Sequence, residues 1–145
     1  MRPFRELKVW QDAHQLTLDV YDATRTFPAE ERYALTSQLR RAAYSVPFNI
    51  VEGTARGDTE CRQFLRISLG SASELDYGLL LSRDLGYLSA ETYAGFVSQI
   101  AREKRMLNAF IANLTRTLDA EHARPRQRQT ANGKRPTTTD LGGSV

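Results

Sequence analysis

The stretch LTSQLRRAAYSVPFNIVEG, residues 35–53, decides the fold. Its stripe positions Leu35, Leu39, Ala42, Val46, Asn49/Ile50 and Gly53 recur at three- and four-residue steps, the period of one helix face. The pattern predicts a helix from about Glu30 to Ala55. Pro47 falls inside the stripe and predicts a kink, because proline removes one backbone bond and crowds the preceding turn.

Working outward, Gly57-Asp58 reads as a stop and a start, with glycine just past one helix and Asp58 as the N-cap of the next. That third segment, about Thr59 to Asp84, carries Phe64, Leu65, Ser68, Ala72, Leu75 and Leu79. Its middle, Gly70-Ser71-Ala72-Ser73, is small on every side and predicts a close helix approach. Leu85-Gly86 ends it. Upstream, about Leu7 to Thr26, Trp10, Ala13, Thr17, Val20, Tyr21 and Thr24 share one face, and Phe27-Pro28 closes the segment. Downstream, Ser89 caps a fourth helix, about Ala90 to Asp119. There Tyr93, Phe96/Val97, Ile100, Lys104, Leu107, Phe110/Ile111, Leu114 and Leu118 follow a nearly heptad spacing. Nothing reads as a strand. Four long helices with short connections predict an all-α, antiparallel up-down four-helix bundle over residues 3–119.

Of the 145 residues, 41% are hydrophobic and 26% charged, ordinary values for a globular domain. The net charge of +3 is unevenly placed. Residues 1–120 hold 15 basic and 15 acidic side chains, so the whole excess lies in residues 121–145, with five basic against two acidic. That segment has hardly any large apolar residue, so residues 120–145 are expected to form a disordered basic tail. The first ten residues lack the apolar core of a secretory signal. The longest weakly polar run, Ala42 to Val51, is about half a membrane span. A cytoplasmic location with no membrane association is the expectation.

Little in the sequence points to catalysis. One cysteine and two histidines exclude a disulfide framework within the chain and a multi-cysteine zinc site. Neither histidine sits three residues after a glutamate, the spacing of a carboxylate-bridged metal site in a bundle. Cys61, in a first helical turn, could have its pKa lowered by the helix dipole. No positioned base accompanies it, and a half-exposed structural cysteine is the simpler reading. No catalytic residue, metal or cofactor is expected.

Two polar sets stand out instead. If the second and third helices form a hairpin near Gly57, facing positions sum to about 115 (a register estimate from antiparallel packing). Arg41 then faces Glu74, and Ser45 lies near Gly70 and Ser71. A partly buried Arg41–Glu74 pair would fix register more than add stability; the alternative is a pair of solvated charges. The second set is basic: Arg40, Arg62, Arg66, Lys104 and Arg105 on the body, and Arg124, Arg126 and Arg128 in the tail. Gathered on one surface, they would bind nucleic acid in a salt-dependent way. Interspersed Glu30, Glu31, Glu60 and Glu103 leave open that they are only the wet faces of helices.

Taken together, Phe4-Arg5-Glu6-Leu7-Lys8-Val9-Trp10-Gln11, Tyr21 with Phe27-Pro28, Leu39-Arg40-Arg41-Ala42-Ala43, Ser45-Val46-Pro47, Asn49-Ile50-Val51-Glu52-Gly53 and Gly70-Ser71-Ala72-Ser73-Glu74-Leu75 resemble the four-helix-bundle family also called 23S rRNA intervening-sequence proteins. The resemblance spans about residues 4–118. It implies a small bacterial cytoplasmic protein that assembles as a ring-like homopentamer without enzymatic activity. More distantly the chain is similar to accessory proteins of diversity-generating retroelements, pentamers that bind a reverse transcriptase and RNA. In a ring, each subunit presents two different faces to its neighbours. Trp10, Tyr21 and Phe27 are the expected contributors to the subunit interface. Two functions follow as expectations: RNA binding through the arginines, or a protein-interaction scaffold whose partner alone touches nucleic acid.

Overall fold

The computed structural model describes residues 2–125. Four helices follow one another: α1 (Lys8–Thr24), α2 (Leu35–Thr54), α3 (Asp58–Asp84) and α4 (Ala90–His122), with 3-10 turns at Phe4–Glu6 and Ala29–Glu31. Each helix packs on its neighbours in the chain, and α1 also packs on α4, so the four close into an antiparallel bundle. The α1–α2 and α3–α4 seams therefore lie on opposite sides.

The ends of the helices follow from local chemistry. Ser89 caps α4 as expected, its Oγ accepting from the Thr92 N–H at 3.1 Å. Gly86 has φ +81°, and the N–H of Tyr87 returns to the Ser82 carbonyl at 2.9 Å, so α3 ends at Leu85-Gly86 as expected, through a left-handed glycine turn. Two boundaries differ. Gly57 rather than Asp58 occupies the cap of α3. Helix α2 starts at Leu35, not near Glu30, because Ala29–Glu31 winds into a 3-10 turn and the Glu31 carboxylate caps the Leu35 N–H at 3.1 Å. At its far end α4 continues to His122, three residues into the segment assigned to the tail. The remaining tail, residues 126–145, lies outside the described residues, and with it the expectation of disorder there.

Helix α2 carries Pro47 without interruption. Proline leaves the carbonyl four residues back, that of Ala43, without its helical donor. The Thr17 hydroxyl of α1, which donates to the Ala13 carbonyl of its own helix at 2.8 Å, reaches that of Ala43 at 3.2 Å as a shared donor. One turn away, the Ser68 hydroxyl of α3 donates to the Val46 carbonyl at 2.9 Å. The carbonyl that the proline orphans is thus met by a hydroxyl of α1, while the Val46 carbonyl, which keeps its helical donor, gains a second one from α3.

The hairpin register is the expected one: Ser45 and Ser71 hydroxyls meet at 2.8 Å. Within the small stretch the contact runs through Ser71 and the fully buried Ala72, not Gly70. A Cβ on Gly70 would meet nothing within 4 Å, whereas one on Gly78 would stand 2.5 Å from Leu39 Cδ2. At the hairpin end, a Cβ on Gly53 would be 3.0 Å from Phe64 Cβ and 3.2 Å from the Cys61 carbonyl.

The core falls into two apolar halves. Leu16, Val20, Leu39, Leu75, Leu79 and Phe96 fill one; Ala13, Val46, Ile50, Leu65, Ala72 and Leu107 fill the other. Between them on α4, where the heptad reading put Lys104, the inward residue is Glu103. It is only 1% exposed, and neither carboxylate oxygen has a hydrogen-bond partner. Burial first, and the charge of Asp12 second, push its pKa up to about 8, against a smaller opposing pull from Arg102.

Candidate nucleic-acid interface

The basic residues expected to converge do not. Arg40 lies on the α1–α2 seam, its Nε donating to Thr24 Oγ1 at 2.9 Å. Arg62 and Lys104 lie on the opposite, α3–α4 seam. There Arg62 donates to Thr115 Oγ1 at 3.3 Å and Lys104 pairs with Asp76 at 3.5 Å. Asp76 is fourteen residues beyond Arg62 on α3, which separates the two contacts by about 21 Å at 1.5 Å per residue. Arg66 and Arg105 are exposed on the same two helices. Arg124 is exposed just beyond α4, and Arg126 and Arg128 lie outside the described residues.

The predicted Arg41–Glu74 pair is also absent. Glu74 accepts from the Gln38 side-chain amide, and Arg41 is exposed. Three residues of helix set Arg41 about 60° round α2 from Gln38, toward solvent rather than toward α3.

A different set does come together. One concavity beside α1 and α2 is lined by Tyr21, Arg32, Tyr33, Thr36, Ser37, Arg40, Arg41 and Tyr44. A second continues from it past Arg25, sharing Arg32, Thr36 and Arg40. No acidic side chain lines either. Among the described residues Arg32, Arg40 and Arg41 pair with no carboxylate. Arg40 lies 4.7 Å over the Tyr21 ring, and Arg32 5.9 Å from the centre of the Tyr33 ring. Two acids near in sequence are engaged elsewhere, while Glu30 makes no ion pair among the described residues. Glu31 holds the Leu35 N–H and the Tyr87 hydroxyl, and Asp22 pairs with Arg25 at 3.6 Å.

Arg32, Tyr33 and Tyr44 were not singled out from the sequence. The available signal was Tyr21, Tyr33 and Tyr44 at eleven- and twelve-residue spacing around the Arg40-Arg41 pair.

Tyr44 also borders an apolar groove lined by Phe4, Trp10, His14, Thr17, Pro47, Phe48 and Val51. Trp10 is half-buried there, stacked on His14 at 5.0 Å and touched edge-on by Phe4. Phe48 is 68% exposed. Of the three residues expected at a subunit interface, Trp10 alone belongs to this groove. Tyr21 lies under Arg40 in the basic concavity. Phe27 is a core residue against Tyr87 with almost no surface left to bury.

The remaining candidate chemistry is weak. Cys61 is buried rather than half-exposed, and burial, with Asp58 adding to it, pushes the thiol pKa up rather than down. Among the described residues no three His, Cys, Asp or Glu side chains are grouped to hold a metal. No described helix is long and apolar enough to cross a membrane.

The class defined by this geometry is an antiparallel four-helix bundle bearing an arginine–tyrosine face. The chain belongs to the 23S rRNA-intervening sequence protein family, whose model matches residues 5–109. Among solved structures it is similar to a protein of unknown function from the S23 ribosomal protein family of Bacteroides thetaiotaomicron VPI-5482, determined at 1.70 Å. That likeness covers 72% of this chain and 95% of the other, with a TM-score of 0.67 and 20% identity, and it establishes the fold alone. No curated protein matches the sequence.

Proposed function

We propose that this protein is a non-enzymatic, self-associating bundle of the bacterial cytoplasm that binds RNA through the α1–α2 face. The observation that carries the reading is the acid-free concavity holding Arg32, Arg40 and Arg41 with three tyrosines. Phosphates are attracted by such a cluster and released as salt rises. Arg124, Arg126 and Arg128 would add a second basic contact. Self-association, to the homopentamer the family resemblance implies, is assigned to the apolar groove around Trp10 and Phe48, whose rings are costly to leave in water.

That groove also favours the second reading, an accessory scaffold that docks on a protein such as a reverse transcriptase, with RNA held only by the partner. Light scattering coupled to gel filtration, with and without total bacterial RNA, separates the two. The RNA-binding ring predicts a five-subunit mass that moves onto RNA at low salt and returns at high salt. A five-subunit mass indifferent to RNA favours the scaffold, and a monomer refutes the assembly.

A further inference from the structure

We propose that the arginine–tyrosine concavity takes unpaired nucleotides, stacking a base on Tyr33 and holding flanking phosphates on Arg32 and Arg41. This rests on the RNA-binding reading and specifies which form of nucleic acid the face fits.

Tyr33 is 89% exposed, the most exposed of the large apolar and aromatic side chains in the bundle. It sits just before α2, where the backbone at Ala34 (φ −119°, ψ −107°) breaks the helical path. Such a ring contributes almost nothing to the core; Arg32 lies 5.9 Å from its centre, and the rest of the ring is open to a base. Paired bases in a duplex hide their faces from a side chain, whereas unpaired ones offer them. The Arg40 guanidinium is already tied to Thr24 Oγ1 and lies over Tyr21, so less side-chain freedom is lost when an anion arrives. Arg41 is exposed and carries no carboxylate among the described residues.

Dimensions agree with a short single strand. From Ser37 to Tyr44, α2 rises about 10 Å, close to three stacked nucleotides at roughly 3.4 Å each. Three arginines are few for binding a duplex by charge alone, since that mode depends on many phosphate contacts. Stacking supplies an attraction that salt does not screen away, and it tolerates any base because every base has a π face.

The test uses the full chain and two fluorescent probes followed by polarisation: a twelve-nucleotide oligoadenylate, and the same strand annealed to its complement. The expected result is tighter binding of the single strand. Tyr33→Leu should weaken it by roughly tenfold, the loss of about one stacked base, and Tyr33→Phe should restore it. Arg41→Gln should lower the salt dependence without removing the single-strand preference. Tyr33 is so exposed that neither substitution threatens folding; thermal melting of each variant checks this. Equal affinity for both probes, or a Tyr33→Leu variant that binds as well as wild type, overturns the single-strand assignment and leaves RNA binding standing. Failure of both probes to bind at low salt overturns the RNA-binding reading as well.

Discussion

Along the α3–α4 seam, Lys104 ends on Asp76 and Arg62 donates to Thr115, while no cation of Arg62, Arg66, Lys104 and Arg105 lies over an aromatic ring among the described residues. Along the α1–α2 seam, Arg40 lies over Tyr21 and Arg32 against Tyr33, with no carboxylate on either. Both sides of the bundle are well supplied with basic residues. They differ chiefly in grouping: Arg32, Arg40 and Arg41 share one acid-free concavity, whereas Arg62 and Lys104 make contacts about 21 Å apart, and of the four α3–α4 cations Lys104 alone has a carboxylate. A cation that has a carboxylate has less to offer a phosphate, because binding must first break or share the existing pair. A guanidinium held against a ring keeps its full charge and several donors. Counting charges treats the two faces alike; the grouping of Arg32, Arg40 and Arg41 in one concavity tells them apart.

The hardest test of that contrast is charge reversal on one side at a time. Arg32→Glu with Arg41→Glu should abolish measurable RNA binding at moderate salt, whereas Arg66→Glu with Arg105→Glu should retain most of it. Milder Arg32→Gln with Arg41→Gln should cost on the order of a hundredfold at low salt, about tenfold for each charge-assisted hydrogen bond to phosphate that is removed. It should also flatten the log–log salt slope by about 1.4, or roughly 0.7 for each phosphate of a single strand that is no longer neutralised. Equal effects from both sides would erase the distinction.

Next in size is the effect of Phe48→Asp. This exposed ring lies in the groove rather than among the arginines, so the charge should reduce the assembly to a smaller mass, read by light scattering, while leaving the monomer folded. An unchanged mass would show that the groove is not the subunit contact. Affinity measured below the assembly concentration should be nearly unaffected, which separates the groove from the concavity it adjoins at Tyr44.

Glu103 belongs to neither face and gives a control that moves stability without moving binding. Its folded-state pKa of about 8 lies far above the 4.5 of an unburied glutamate. As pH rises through that interval, the unfolded chain releases a proton that the folded chain keeps. The stability linked to this group is therefore fully present below about pH 4.5 and is lost by about pH 8. Thermal melting should show a lower Tm at pH 8 than at pH 5, by roughly 4 °C for each kcal/mol of stability removed, and Glu103→Gln should shrink that difference. The ratio of affinities between the two sets of arginine variants should stay the same. A wild-type Tm that rises from pH 5 to pH 8, with Glu103→Gln showing the same slope, would contradict the role given to burial. The smallest effect is expected from Lys104→Gln, which removes a partly exposed pair worth at most about 1 kcal/mol and should barely change RNA affinity.

The fold was legible because each helix announces itself through its apolar stripe, and several through an end as well, although the start of α2 does not. Ser89, Gly86 and the Gly57 hairpin appear where local chemistry needs them, and the Ser45–Ser71 contact follows once the hairpin is drawn. The azimuth of a polar side chain was much less legible. Ile100 and Leu107 leave a choice between positions 103 and 104 for the inward residue, since steps of three and four both suit a helix. Both positions are charged, so hydrophobicity could not decide, and packing turned Glu103 inward. Arg41 failed for a related reason: the register placed it level with Glu74, but a helix at one level still offers several directions. The concavity depended on Tyr33 and Arg32, which precede α2 in a 3-10 and turn segment where periodicity carries no signal.

The proposed site puts RNA against α1–α2. The most direct measurement is ultraviolet crosslinking of the full chain to labelled oligoadenylate, followed by peptide mapping of the adducts. Adducts are expected on the segment from Tyr21 to Tyr44, centred on Tyr33, and they should vanish in Arg32→Gln with Arg41→Gln. Adducts confined to α3 and α4, or to residues beyond His122, would contradict the proposal.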